Sequence, residues 1–502
     1  MTRYAAILGP FAYRPAELLR RLGAFPMGGG LGGPGEPAQD PGRSVALLDS
    51  AGGSPKLATR SLVAWRPRVH LWAKDHRVVV SRASADGWAR QECRSDPFPV
   101  LRALTAEEGA SNTEWRGPQG DDLDWVGAYG LVCYDAGRYI EALPDTTLDD
   151  LRIPDLDVMF PTRWLCFDHQ HDRVTAVADS PEALEEMERL VSAAARAPRA
   201  VVDVEVAGHS REQSLRTASN MTEAEYEAIV ARGREYVWAG DVFQTNLSQR
   251  LRMDYAGASE VLYRVLRAVN PSPFAGYLRL SGYELFCSSP ERLVRLHGRT
   301  AEARPIAGTR RRGRDFVEDG SLTDDLNLDP KERAEHIMLV DLERNDLGRV
   351  CEYGSVHVDE LMVNERYSHV IHIVSNVTGT LAAGRDAVDL LRAMFPGGTI
   401  TGCPKVRCME IIDELETVRR GPYTGSLGFF GYNGDMDVNI VIRTLVRVGD
   451  QVYAQAGAGI VADSVPEREY LETLSKAEAM VQAVAQALAY AGAQAGLAGA
   501  VS

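Results

Sequence analysis

From about residue 215 onward, amphipathic helical segments and β-branched runs alternate without regular βαβ spacing and without an internal repeat. That irregular alternation restricts the fold more than any other feature, because a doubly wound parallel sheet requires a helix after each strand. VLYRVLRAVN, KERAEHIMLVDLERNDLG, DAVDLLRAM and CPKVRCMEIIDELE carry apolar residues at helical period, and GYLRL, SVHVDEL, VIHIVSNVTG, VNIVIRTLVRV and QVYAQAGAGIV read as strands between them. The expected class is α+β, with mixed antiparallel sheets packed against helices.

The first 240 residues carry the same kinds of element. SVALLDS, LVAW, VHLWA and RVVVSR read as short strands, and PEALEEMERLVSAAARA and MTEAEYEAIVARGREYVWAG as helices, the second ending at Gly240. Gly and Pro make 26–42 a loop insertion, and the Ala- and Gly-rich tail from Ala489 is expected to fray. The organisation expected is an N-terminal region over 1–200, partly regulatory, and a catalytic region over 215–490.

Composition excludes several function classes. At 502 residues, 45% hydrophobic and 25% charged, the chain can bury a large core. A net charge of −15 argues against a nucleic-acid partner, although the basic run Arg310 to Arg312 suits one small anion. The N-terminus lacks the features of a secretory signal, and no apolar run approaches the ~18 residues of a membrane span. Seven scattered cysteines without a CxxC pair indicate neither a zinc site nor a disulfide framework, so a reducing cytoplasm is expected.

Three constellations carry chemistry. Glu332 and Glu335 in KERAEH, and Glu469, Glu472 and Lys476 in EREYLETLSKAEAM, project from single helical faces. Four carboxylates brought together require a cation, and an all-oxygen set suits Mg²⁺; taken singly, the same residues read as solvated faces with i,i+4 ion pairs. FPGGTITGCPK, GPYTGSLGFFGYNG and QAGAGIV place glycines where backbone N–H groups can approach an anion, or where the chain simply turns. His372, Arg443, Gln244 and Asn246 stand in otherwise apolar strands, and a buried arginine requires a carboxylate from the protein or from a substrate.

In order, RPIAGT, KERAEHIMLVDLERNDLGRV, YSHVIHIVSN, GGTITGCPKVRCMEIIDELE and QAGAGIVADS resemble the chorismate-utilising enzymes, a family that includes anthranilate, aminodeoxychorismate, isochorismate and salicylate synthases. The resemblance covers residues 219–485, and the N-terminal part is similar to the regulatory half of the aminating members. It implies that Glu335 and Glu472 bind Mg²⁺ directly, with Glu332 and Glu469 acting through water, and that the metal holds the ring carboxylate of chorismate. Arg443 and Tyr423 would bind the enolpyruvyl carboxylate. Gly398, Thr399, Gly457 and Gly459 would add hydrogen bonds, Ala307 and Thr309 would line the substrate, and Lys476 would lie beside the metal-bound carboxylate. Glu291 in SSPER matches the general acid for the departing hydroxyl, and His372 the histidine associated with pyruvate loss.

Gln244 stands where water-adding members of the family have lysine, which implies an aminating enzyme. Asn246 in QTNLSQR, SNMTEAEYE, NPSPFAGYLRL and LLDS favour aminodeoxychorismate, on the para-aminobenzoate route to folate, as the product. Ala307 stands where many such enzymes have lysine and is typical of anthranilate synthases on the tryptophan route. A catalytically inactive chorismate-binding paralogue is the non-enzymatic alternative. None of the seven cysteines has a glutaminase nucleophile pattern, so ammonia is expected from a separate class I glutaminase subunit in a heterodimer.

Overall fold

The computed structural model describes residues 2–9, 11, 13, 15–24, 35–52, 57–110, 115, 116, 123–197, 216–366 and 370–499; the side chains of 115, 116, 309 and 491–499 lie outside that description. Part of the expected 26–42 loop is outside it too, and from Gly35 the segment is a turn that closes in the short 3-10 helix Pro41–Arg43.

Two antiparallel sheets are built from strands that they share at two corners. Arg60–Lys74 pairs with Leu156–Asp168 along almost its whole length, and the register breaks between Pro67 and Val69. Arg66 has a φ of 54°, and Pro67 has no N–H to give to a ladder, so the strand bends there. Before the bend its other neighbour is Val45–Asp49; after it, the neighbour is Arg77–Ser84. LVAW and VHLWA, read as two strands, are therefore one strand on either side of a bend.

At the second corner, Glu284–Ser289 pairs with Thr444–Val448, while the next strand, Arg292–His297, pairs with Met436–Asn439. VNIVIRTLVRV, expected as one strand, is broken over residues 440–443, where Arg443 has a φ of 50°. Strands that switch sheets at bends are how sheets packed near right angles stay connected.

Each sheet mixes early and late parts of the chain. In one, Val45–Asp49 lies against Phe274–Arg279; in the other, Gly127–Val132 lies against Ser426–Gly431. Between the sheets sit Ala64, Trp125, Tyr129, Trp164, Leu278, Tyr283 and Leu285. Helices Pro15–Arg21, Pro181–Arg196, Ser259–Val269 and Pro466–Gly499 cover the outside of the first sheet through Leu18, Met187, Leu262 and Met480. Helices Pro97–Ala110, Pro330–Gly348 and Ala387–Met394 cover the second through Leu101, Val340 and Leu391. The result is a helix, sheet, sheet, helix stack of the expected α+β class.

Local signals set the helix ends. Glu223–Ala239 opens with a reciprocal capping box between Thr222 and Glu225 and stops at Gly240, whose φ is 81°. The C-terminal helix does not fray at Ala489 but runs on to Gly499, since alanine has the highest intrinsic helix propensity. Among the described residues, no helix is long and apolar enough to cross a membrane.

Leu285 is fully enclosed between the sheets, whereas Leu361 on an outer strand is 55% exposed. Leu285→Ala is expected to cost about 2–5 kcal/mol in urea unfolding, and Leu361→Ala less than about 0.5 kcal/mol.

Candidate active site

The N-terminal halves of helices Pro330–Gly348 and Pro466–Gly499 carry charges within electrostatic reach of each other. Lys476, from the second, lies within electrostatic reach of Glu335 on the first; Lys331, from the first, lies within reach of Glu469 on the second. The four acidic residues singled out by spacing are thus gathered in one region. Burial raises the Glu335 carboxyl above its ordinary range, opposed by a hydrogen bond from Gln244 and reinforced by the Glu332 charge. Burial likewise raises Glu469, opposed by the Ser464 hydroxyl and reinforced by Glu472. Lys476 donates to the Gly457 carbonyl at 3.0 Å and pairs with Glu472 at 2.8 Å. Arg310 grips Glu332 at 3.0 Å together with Asp325 and Asp329, and Arg312 holds Asp319 at 2.7 Å. The basic run expected to hold a free anion is therefore engaged by the protein's own carboxylates. Glu335 and Glu469, raised by burial, stand with Glu332 and Glu472 in a set that offers only oxygen, the donor type a hard divalent cation such as Mg²⁺ takes.

Below this region run the paired strands Gln244–Asp254 and Gln451–Ile460, with Asn246 opposite Gly459 and Ser248 opposite Gly457. The glycines leave room for polar side chains to lie flat across the ladder. A Cβ on Gly459 would stand 2.2 Å from Gln244 Nε2, and one on Gly457 2.5 Å from Asn246 Oδ1. Gln244 Nε2 donates to Glu335 at 3.3 Å, which fixes which end of the amide is nitrogen. Gln244 Oε1 and Asn246 Oδ1 are buried and have no hydrogen-bond partner among the described residues.

A buried arginine ties this floor to the loops above it. Arg420 pairs with Glu416 at 2.6 Å, donates to the carbonyls of Asn246 at 2.7 Å and Ile400 at 3.1 Å, and lies 5.5 Å from the Tyr423 ring. Glu416 also accepts from the Ser248 N–H and hydroxyl, both at 2.8 Å. The backbone N–H of Gly457 meets the Tyr423 hydroxyl, whose proton burial holds well above its usual pKa. Ile400 belongs to the short turn Gly398–Ile400; a Cβ on Gly398 would come within 2.1 Å of Leu342 Cδ2, so only glycine lets the turn rest on that helix.

The second sheet corner supplies the remaining groups. Glu291 is buried at the bend, and desolvation pushes its carboxyl up to about 7 against the Thr399 hydroxyl, the Arg443 charge, the Ile306 N–H and Lys476. Its Oε1 has no hydrogen-bond partner among the described residues. His372, on Val370–Thr380, is pushed down to about 4 by burial and then by Arg443, so it is neutral at pH 7, with Nδ1 3.4 Å from the Gly308 carbonyl. Ala307 is buried on Ile306–Arg311 and pairs with Ile373, and a register shift separates it from Thr309, whose side chain lies outside the described residues. Lys331 and Arg420 escaped the sequence reading. Both stand at i,i+4 spacing from a carboxylate, Lys331 from Glu335 and Arg420 from Glu416.

A buried acid protonated near neutrality, a neutral histidine, an amide with a free acceptor, an arginine at a strained corner and a carboxylate cluster suit a small, multiply anionic substrate that loses a hydroxyl. A cavity of about 240 Å³ is lined by Asp49, Ser50, Arg60, Trp125, Pro273 and Phe274, away from these groups. Asp124, His297 and Asp435 also have their ligand atoms within 4.8 Å of one another, but Asp124 pairs with Arg60 and Asp435 accepts from Gly298 and Asn433.

The sequence matches the chorismate binding enzymes over residues 49–482, and the chain belongs to that family. It is 48% identical to the aminodeoxychorismate synthase component 1 of Bacillus subtilis over 370 residues, covering 71% of this chain and 77% of that protein. It is 38% identical over 449 residues to the anthranilate synthase component 1 of Acetivibrio thermocellus, covering 87% and 89% of the two chains. The solved anthranilate synthase component I of Streptococcus pneumoniae superposes with a TM-score of 0.72 at 33% identity, over 84% of this chain and 92% of that one. The menaquinone-specific isochorismate synthase of Escherichia coli shares the fold, with a TM-score of 0.63 at 16% identity over 96% and 94% of the chains. The protein is a chorismate-utilising enzyme.

Because Gly459 is the floor under the Gln244 amide, Gly459→Ala is expected to displace that amide while the sheet persists. Steady-state kinetics should show kcat/KM down by about 10- to 100-fold, with the circular dichroism spectrum unchanged.

Proposed function

We propose that the enzyme replaces the ring hydroxyl of chorismate with ammonia to give 4-amino-4-deoxychorismate. The observation that carries this reading is the Gln244 amide: its nitrogen is committed to Glu335, and its oxygen is buried without a partner. An acceptor held in that way suits a neutral N–H donor such as ammonia, whereas a lysine there would place a second cation where ammonia must arrive. The similarity to an aminodeoxychorismate synthase supports the same product.

Glu335 and Glu472, assisted by Glu332 and Glu469, would hold Mg²⁺, which when bound supplies positive charge to the ring carboxylate of chorismate. Arg443 and Tyr423 bind the second carboxylate, and Gly398, Thr399, Gly457 and Gly459 shape the space around both. Lys476 adds positive charge beside the metal-bound end. Glu291, protonated below about pH 7, gives its proton to the hydroxyl, which leaves as water while the C–N bond forms. Neutral His372 orients the ring without adding charge.

A second reading is favoured by Ala307, since the family resemblance implies alanine at that position in anthranilate synthases, which are among the relatives, and the product is then anthranilate with pyruvate. Chromatography after incubating the purified chain with chorismate, Mg²⁺ and an ammonium salt, with and without a lyase that aromatises aminodeoxychorismate, decides between them. Lyase-dependent aromatic product is expected; anthranilate formed without the lyase supports the second reading.

Nitrogen is supplied by a class I glutaminase partner. Burial raises the thiols of Cys133, Cys166, Cys287, Cys351, Cys403 and Cys408, which makes each a poor nucleophile. The chain alone is expected to use ammonium salts and to be nearly inert with glutamine. Glu335→Gln and Glu472→Gln are expected to abolish turnover with unchanged thermal unfolding; wild-type activity of either at low Mg²⁺ refutes the metal assignment.

A further inference from the structure

Arg310 stands near the end of strand Ile306–Arg311, with its guanidinium fixed on three sides by carboxylates. Nε donates to Asp325 Oδ2 at 2.9 Å, Nη2 to Asp329 Oδ2 at 3.1 Å and Nη1 to Glu332 Oε1 at 3.0 Å. Asp329 is itself held as the N-cap of Pro330–Gly348, where its Oδ1 accepts the N–H groups of Lys331 and Glu332. The second Glu332 oxygen, Oε2, lies over Gly308, where a Cβ would stand 3.0 Å from it. Strand Ile306–Arg311 thus places both ends of the Glu332 carboxylate.

The four carboxylates of the cluster meet different neighbours. Glu335 accepts from the neutral Gln244 amide, and Glu469 from the neutral Ser464 hydroxyl. Glu472 has Lys476 at 2.8 Å, but the two side chains are 48% and 45% exposed, and a lysine ammonium is a hydrated point charge on a flexible stem. Glu332 instead faces a rigid fork already held by two other carboxylates, in a pair whose members are 23% and 24% exposed.

We propose that Arg310 is a positioning residue that holds Glu332 to itself and offsets its charge, so that Mg²⁺ is bound loosely until a carboxylate of the substrate joins the set. The inference rests on the reading of Glu332, Glu335, Glu469 and Glu472 as a metal site. Four full carboxylates carry twice the charge of one Mg²⁺, and the excess repels an anionic substrate. Lys331 is exposed and Lys476 nearly half exposed, so solvent screens what they can offset. The Arg310 guanidinium removes part of the excess at Glu332 and leaves the Glu335 side of the cluster to the metal.

Mg²⁺ binding is read by titration calorimetry on the full chain, without and then with chorismate, ammonium being withheld so that no amination takes place. Without chorismate, Arg310→Gln is expected to lower the Mg²⁺ dissociation constant about three- to tenfold, and chorismate should then tighten it less than in the wild type. Arg310→Lys, which keeps the charge, should stay within about twofold of the wild type. In a Glu332→Gln background, Arg310→Gln should change the constant by less than about twofold, because the effect runs through that carboxylate. Unchanged or weaker binding by Arg310→Gln, or an equal effect in the Glu332→Gln background, overturns the proposal. Glu332→Gln by itself gives an answer that does not depend on how Arg310→Gln folds. With the Glu332 charge already offset, its loss should raise the constant by less than about threefold, against more than about tenfold for Glu335→Gln. Equal losses overturn the proposal. A wild-type chain with no saturable Mg²⁺ binding under either condition sinks the metal reading and the proposal together; saturable binding that Arg310→Gln leaves unchanged sinks the proposal alone.

Discussion

The Arg420–Glu416 pair is the interaction on which the site depends. A guanidinium cannot shed its proton to escape burial, so with 2% of its surface exposed Arg420 must keep its carboxylate. Removing either partner would leave an uncompensated buried charge, a loss of about 3–5 kcal/mol. The same guanidinium reaches the carbonyls of Ile400 and Asn246 and the ring of Tyr423, so the turn above the floor, the strand of Gln244 and a substrate-facing tyrosine share one anchor. A small shift of this anchor moves all three together.

The sheet corners explain why catalytic groups are found where they are. A strand that changes sheets must leave its ladder for a few residues, and those residues can point polar groups inward without breaking a hydrogen-bond row. Glu291 and Arg443 occupy such positions, and the left-handed backbone of Arg443 is held by pairing on both sides. Local strain kept by a rigid frame is a familiar property of functional sites.

Much of this was legible in the sequence, and what was not has a physical reason. The carboxylates at three- and four-residue spacing follow from helix periodicity, and Gly240 marks a real helix end. The glycines at 457 and 459 were visible, but their purpose was not, because it lies in the size of the Gln244 and Asn246 side chains across the ladder. Arg420 stands four residues after Glu416, but the carbonyls it anchors, those of Ile400 and Asn246, lie 20 and 174 residues away and leave no local trace. The bends at Arg66 and over 440–443 follow from which strands flank each half, which no local pattern encodes.

The interleaving of early and late strands also has a consequence for biosynthesis. Val45–Asp49 finds its outer neighbour only when Phe274–Arg279 emerges, more than two hundred residues later. At about 5–20 residues per second, translation leaves that edge unpaired for roughly 10–45 seconds. For that interval the nascent chain carries an open apolar strand edge, the condition under which aggregation competes with folding. Capture by a chaperone at the ribosome would therefore matter most before the Phe274–Arg279 strand has been made.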